Sequence, residues 1–357
     1  MSEQFVYDAL PMRVRFAAGS LRALADEMDH LGVRRALVLA TPEQSDLAAE
    51  VALSLGRRAA GVFAEARMHV PVEVARTARE VAQRLDADSC IAVGGGSTVG
   101  LGKAIALESS LPIIAVPTTY AGSEMTPIWG LTENGEKRTG RDRRVLPASV
   151  VYDPDLTFSL PADISVTSAV NAMAHAVEAL YAPDTSPIIS LMAQDGVRAL
   201  ASAVPEIIAD PTNRAARETA LYGAWLCGAC LGATTMSLHH KICHALGGTL
   251  DLPHAPSHTV VLPHVLAYNQ DSAPQARAAL SSALGGDEEA PATRLWDLIR
   301  AWGAPTSLHA LGMKGDDIAT VVAQVLARPY ANPTPVTEEG LTGLLTRAWA
   351  GKPPPAS

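Results

Sequence analysis

Ser89-Cys-Ile-Ala-Val-Gly-Gly-Gly-Ser-Thr98 is the stretch on which the fold turns. Ser89 to Val93 is a short apolar run without polar alternation, as a strand buried on both faces requires. Gly94-Gly95-Gly96-Ser97 follows at once, and a helical pattern continues to about Glu108. Glycines allow a ligand close to the backbone, and the free amides of a helix N-terminus attract an anion. The alternative is a tight turn without a ligand. Three consecutive glycines directly after an apolar strand favour a phosphate, although the spacing is not the GxGxxG fingerprint.

The same alternation extends to both sides. Residues 12–17 read as an edge strand, 19–31 as an amphipathic helix, 35–40 as a strand and 45–55 as a helix. A short strand at 62–64, a helix at 71–85, and strands at 112–116 and 148–152 complete the series. This order predicts a parallel sheet covered by helices on both faces. Asn134-Gly135, between extended runs, predicts a hairpin. Pro117-Thr-Thr-Tyr-Ala-Gly-Ser-Glu124 leaves its strand in the same direction as the glycine turn. Ligands of doubly wound sheets lie beyond the carboxyl ends of the strands, so both loops are expected to line one crevice. Gly94, Gly95, Gly96, Ser97, Thr98, Thr118, Thr119 and Ser123 are thus candidates for binding pyrophosphate or ribose. Helix capping is the plainer role for the hydroxyls.

After Asp153-Pro154 the pattern becomes helical throughout: 166–181, 187–202, 213–234, 237–248, 258–269, 275–284, 290–303, 315–327 and 337–349. No internal repeat is present. The expected organisation is an α/β domain over 1–155 and an all-helical domain over 156–357, with a frayed tail from Gly351.

With 357 residues the chain can bury two cores, and a net charge of -9 argues against non-specific affinity for nucleic acid or an anionic membrane. The N-terminal residues lack the basic-then-apolar pattern of a secretory signal, and no apolar run approaches the ~20 residues of a spanning helix. Cys227 and Cys230 form a CxxC pair with no second pair to complete a zinc site. Flanked by small residues, they read as buried thiols, and the expected compartment is the reducing cytoplasm.

The chemistry concentrates in the helical half. Asn171-Ala-Met-Ala-His175 and His240-Lys-Ile-Cys-His244 each place two polar side chains on one helical face, and His254 follows. Three histidines and one oxygen donor look like a divalent metal site, yet the donor is a neutral amide. His239 and His264 are read as bystanders. The basic run 137–144 is either a solvated loop or a binder of substrate carboxylates.

Together the segments GGGST-x4-K (94–103), PTTYAGSEMTPIWG (117–130), TGRD (139–142), NAMAHAVEALYAP (171–183), HHKICHALGG (239–248), LPHAPSHTVVLPH (252–264) and NPTPVT (332–337) resemble the iron-containing alcohol dehydrogenase superfamily. Within it they resemble the maleylacetate reductases. The resemblance spans nearly the whole chain. It implies a Rossmann-like dinucleotide domain followed by a helical domain, an active site in the cleft between them, and a homodimer paired near residues 12–17.

Metal-dependent members bind their ion through Asp and three His, and those positions are Asn171, His175, His240 and His254 here; His244 matches the histidine near the nicotinamide. Gly100 stands where those members carry Asp, and the threonine loop is one residue shorter, with Tyr120 directly after the threonines. These departures imply the reductase branch and no functional metal. The implied reaction reduces the carbon–carbon double bond of maleylacetate, a dicarboxylate, to 3-oxoadipate with NADH or NADPH. In that reading His244 leads as proton donor, with His254 as the alternative. His175, His240, Tyr120 and Asn171 bind or polarise substrate oxygens, and charged imidazoles help to hold the dianion. Thr41 ends the strand that would carry the ribose-binding carboxylate, with Glu43 two residues on, so NADH use with tolerance of NADPH is expected. The rival readings are a metal-dependent alcohol or polyol dehydrogenase, a lyase related to dehydroquinate synthase, and a non-catalytic binding module.

Overall fold

The computed structural model describes residues 5–133, 136–286, 291–328 and 330–355. The chain divides into two compact units, Ala9–Leu160 and Pro161–Ser357, with the N-terminal residues up to Asp8 grouped with the second. The division falls slightly later than the sequence suggested.

The first unit is built on a six-stranded parallel sheet: β1 (Arg13–Phe16), β2 (Ala36–Leu39), β3 (Ala59–Phe63), β4 (Ser89–Gly94), β5 (Ile113–Pro117) and, after a hairpin, β8 (Ser149–Tyr152). Four helices intervene: α1 (Leu24–Leu31), α2 (Ser45–Leu55), α3 (Val72–Arg84) and α4 (Gly96–Ser109). Side chains of a strand alternate between faces, and here both faces are apolar. Val38, Ile91, Val93, Ile114 and Val151 pack with Leu24, Met28 and Val51 of α1 and α2 on one side. Leu37, Leu39, Cys90 and Phe63 pack with Ala75, Ala78, Leu101 and Ile105 of α3 and α4 on the other. The strand order is β1-β8-β5-β4-β2-β3. The chain leaves β2 toward β3 and returns to β4 on the opposite side of β2. That reversal is the switch point at which doubly wound sheets open a ligand crevice.

β6 (Ile128–Glu133) and β7 (Glu136–Arg141) form a separate antiparallel pair. The turn assigned to Asn134-Gly135 lies outside the described residues. β3 starts earlier than expected because Ala59-Ala60-Gly61 carries no β-branched signal. The first helical stretch opens as a 3-10 turn, Ser20–Ala23, before α1.

The second unit contains α5 (Ala162–Leu180), α6 (Pro187–Ala209), α7 (Arg214–Ala233), α8 (Leu238–Leu250), α9 (His254–Asn269), α10 (Pro274–Leu284), α11 (Pro291–Ala301), α12 (Asp317–Leu326) and α13 (Glu338–Ala350). α6 runs on through Pro205, past the expected end at 202, and α9 contains Pro263 and starts at His254, earlier than the expected 258. Tertiary packing overrides the local cost of proline. α6 and α7 approach so closely that a Cβ on Gly223 would lie 2.9 Å from the Gly196 carbonyl oxygen. A core of Leu238, Ile242, Val261, Val265, Val321 and Leu345 joins α8, α9, α12 and α13. The tail is not frayed as far as Pro355: Arg347 Nη1 donates to the Pro353 carbonyl at 3.2 Å and Pro354 is buried. Residues 356–357 lie outside the described residues. Among the described residues no single helix is long and apolar enough to cross a membrane.

Candidate active site

The switch point of the sheet carries the glycine turn. Gly94 has φ +149°, and a Cβ there would lie 2.5 Å from Thr98 Oγ1 and 2.7 Å from Gln44 Oε1. A Cβ on Gly95 would meet Thr119 Oγ1 at 3.0 Å. Glycine is therefore required by close approach at Gly94 as well as by backbone conformation. Gln44 Nε2 donates to Thr118 Oγ1 at 2.8 Å, tying the loop after β2 to the loop after β5. Thr98 Oγ1 is buried without a hydrogen-bond partner. Gly96 and Ser97 form the first residues of α4, so their amides lie at the positive end of a fourteen-residue helix. These features fit the pyrophosphate of a dinucleotide. Thr41 bonds to Glu43 and, after the backbone amide, helps to hold that carboxyl below its ordinary value.

One residue of the sequence-derived set is otherwise engaged. Both the carbonyl and hydroxyl of Ser123 face Lys103 Nζ, at 2.6 and 3.3 Å. Tyr120 is fully buried. In the basic run, Arg144 pairs with Asp142 at 2.6 Å and Arg138 with Glu133 at 3.7 Å. Those two pairings give the solvated-loop reading its support.

In the helical unit, α5, α8 and α9 bring the histidines together. Asn171, His175 and Glu178 follow one stripe of α5, because spacings of four and three return to the same face. The His175 and His240 rings stack with centroids 5.2 Å apart. His240 and His244 lie 6.2 Å apart, and His254 opens α9. His244 and His254 are exposed, whereas Asn171, His175 and His240 are buried. The accessible pair suits proton exchange, and the buried set suits fixing an oxygen.

Three partners were missed from sequence. Glu178, with no exposed surface, accepts from the Ser237 amide (2.9 Å), the His239 amide (2.7 Å) and His240 Nδ1 (2.7 Å). It caps α8 and fixes a proton of His240 on Nδ1, with Nε2 on the far side of the ring from the carboxylate. Its spacing from Asn171 and His175 was a legible signal. His239 is no bystander: its Nε2 shares a 2.9 Å hydrogen bond with Nδ1 of His258, which itself lies one turn beyond His254 with ring centroids 4.3 Å apart. His264 does stand aside, buried against Trp296. Lys241 turns its ammonium over the Tyr330 ring. Asn332 of the late motif is a brace, exchanging hydrogen bonds with Asn269 and accepting from Ser237 Oγ.

Burial, then the neighbouring His240 and His254, push His175 well below the ordinary histidine value. His239 and His258 are lowered in the same way. The expectation that these imidazoles carry charge therefore fails for His175, because the interior penalises the imidazolium. Asn171 Oδ1, His175 Nδ1, His239 Nδ1, His240 Nε2 and His258 Nε2 are all buried without a hydrogen-bond partner. Each such group costs about 1–3 kcal/mol. Their concentration in one cluster is the mark of a site built for a polar ligand.

The sequence matches two family models, Iron-containing alcohol dehydrogenase over residues 11–154 and Fe-containing alcohol dehydrogenase family, C-terminal, over 165–349. A maleylacetate reductase from Sphingobium indicum is 58% identical over 351 residues, covering 98% of this chain and 99% of the relative. The crystal structure of a maleylacetate reductase from Agrobacterium tumefaciens has a TM-score of 0.95 at 52% identity, covering 99% of this chain and all of that one. A maleylacetate reductase from Rhizobium has a TM-score of 0.95 at 51% identity, with 99% of this chain covered.

Such a family implies a divalent ion, but the side chains at the corresponding positions fit one poorly. The carboxylate is an amide, Asn171. Among the described residues, the group of three His, Cys, Asp or Glu side chains whose donor atoms lie within 4.8 Å of one another is His239, Cys243 and His258. The trio His175, His240 and His254 does not gather in that way. In the deeper group the two imidazoles already bond to each other, and burial followed by Glu178 pushes the Cys243 thiol well up, leaving it a poor ligand. On its full-length likeness in sequence and fold, the chain belongs to the iron-containing alcohol dehydrogenase family and, within it, to the maleylacetate reductases.

Proposed function

We propose that this chain reduces the carbon–carbon double bond of maleylacetate to 3-oxoadipate, using NADH or NADPH and no resident metal. The observation that carries the reading is the Asn171/His175/His240 set within a chain 58% identical to a maleylacetate reductase. The same reading makes it an enzyme of aromatic-compound breakdown acting in the cytoplasm, without nucleic-acid or membrane partners. It also makes the chain a homodimer, supported by β1 lying at the edge of its sheet.

The substrate is a dianion whose double bond is conjugated to a ketone. Gly94, Gly95, Gly96, Ser97 and Thr98 would hold the pyrophosphate of a reduced nicotinamide dinucleotide, with Thr118, Thr119 and Thr41 on the adjoining loops. When bound, that cofactor would supply hydride to the carbon beta to the ketone. Negative charge then develops on the ketone oxygen as an enolate. Neutral donors must stabilise it where relatives use a cation. His175 is held neutral by burial, so its ring donates a hydrogen bond without contributing charge. Asn171 contributes an amide, and Glu178 keeps His240 in place. The alpha carbon takes a proton from His244, or from His254 in its absence, both on the exposed side of the cluster. Tyr120, buried like Asn171 and His175, would bind or polarise a further substrate oxygen.

NADH oxidation driven by maleylacetate tests the reading. Turnover with maleylacetate and none with simple alcohols and NAD supports it. Preferred oxidation of an alcohol or polyol would replace it with the metal-dependent dehydrogenase reading. Comparable efficiency with NADH and NADPH is expected, and outright rejection of NADPH would make Glu43 a strict selector.

A further inference from the structure

Lys103 is buried to 1% exposure and has no part in the reaction as described. It lies on α4 about two turns beyond the glycine turn. Its ammonium donates to the Ser123 carbonyl (2.6 Å), Thr126 Oγ1 (2.9 Å) and the Ile128 carbonyl (2.8 Å), with Ser123 Oγ at 3.3 Å. All four acceptors belong to the segment that follows the threonine loop. Next to it, Glu124 is also buried and accepts from Tyr152 Oη at 2.8 Å, which anchors the segment to β8.

An ammonium's three protons are matched by three good acceptors, so the geometry is fully satisfied. It is nevertheless costly, since desolvation pulls the Lys103 value down to about 7 even though Glu124 pushes it up. A methionine of similar length would avoid that cost in an ordinary core. The arrangement links the helix whose N-terminus receives phosphate to the loop whose Thr119 side chain closes on Gly95. Both walls of the phosphate pocket are thereby held at a fixed separation.

We infer that Lys103 is a positioning residue for the dinucleotide: by clamping the Ser123–Ile128 segment to α4 it preorganises the pocket formed by Gly95, Thr118 and Thr119. It touches neither substrate nor reacting atoms, so its effect belongs in cofactor affinity and not in the chemical step. The inference rests on the dinucleotide reading of the glycine turn, and the test separates the two.

Fluorescence titration of the purified full-length protein with NADH, alongside maleylacetate kinetics and thermal melting, provides that test. Wild type must bind NADH; if it does not, the dinucleotide reading falls and takes this inference with it. With binding established, Lys103→Met is expected to raise the NADH Kd about tenfold or more, as displaced positioning groups do. Turnover at saturating NADH and the KM for maleylacetate should stay within about twofold, because those steps use other residues. An unchanged NADH Kd, or an equal loss in turnover and in maleylacetate binding, would overturn the inference. If Lys103→Met does not fold, Thr126→Val decides, since it removes one acceptor while keeping the side-chain shape. A raised NADH Kd with turnover preserved supports the clamp, and an unaltered Kd overturns it.

Discussion

The two units solve the problem of binding polar groups in opposite ways. Around Gly94 the sheet unit presents backbone: side chains are absent where the ligand comes closest, and recognition falls to amides and small hydroxyls. Around His240 the helical unit presents side chains from α5, α8 and α9, most of them buried and several without partners. A backbone pocket is generic and serves any dinucleotide. A side-chain pocket is particular, and one carboxamide in place of a carboxylate changes its chemistry. The glycine turn depends on backbone shape, whereas the histidine cluster depends on which side chains fill its positions.

The largest effect expected from breaking this contrast is in the side-chain pocket. His244→Ala should lower kcat by about 10²–10⁴, the range for a general acid, with the NADH Kd little changed. Steady-state kinetics decide it; near-normal turnover would move the role to His254. In the backbone pocket Gly94→Ala should act on cofactor affinity instead. The new methyl would lie 2.5 Å from Thr98 Oγ1, and the NADH KM should rise at least about tenfold.

Glu178→Ala tests whether the missed carboxylate organises α8. It removes acceptors from two buried amides and from His240, so a loss of about 2–4 kcal/mol is expected, lowering Tm by several degrees. Calorimetry would show it, and an unchanged Tm would mean that water replaces the carboxylate. Asn171→Asp sharpens the comparison from the other direction. The restored charge should raise divalent-ion affinity, read as metal content after dialysis against iron or zinc, and lower reductase turnover.

The smallest effect concerns the sheet unit's own frame. Burial alone would raise Glu27, but hydrogen bonds from Ser149, Arg15 and Arg13 outweigh it and hold its value below 4.5. The stability this contributes is present above the unfolded value and lost as pH falls through the lower folded value. Glu27→Gln should therefore flatten the acid limb of a pH–stability curve. An identical limb would assign acid sensitivity to other carboxylates.

Legibility in the sequence followed the same division. The alternation that places α2 at Ser45–Leu55, and the glycines after β4, are local patterns, and local patterns survive folding. Strand order is non-local: that β8 lies between β1 and β5 could not be read from its own residues. In the helical unit the pairs Asn171/His175 and His240/His244 were legible as helical repeats, with His254 following them. Glu178 shares that spacing, but nothing in the sequence alone separates it from an ordinary helix acid. His239 and His258 were hidden because their roles depend on how α8 and α9 cross. The neutrality of His175 was hidden as well, since burial, which only the fold supplies, sets it.

The proposed active site reduces maleylacetate with hydrogen-bond donors in place of an ion. NADH oxidation by maleylacetate should be measured on metal-analysed protein before and after chelator treatment. Turnover with sub-stoichiometric metal and no loss on chelation is expected. Activity that disappears with the chelator and returns with iron or zinc would contradict it.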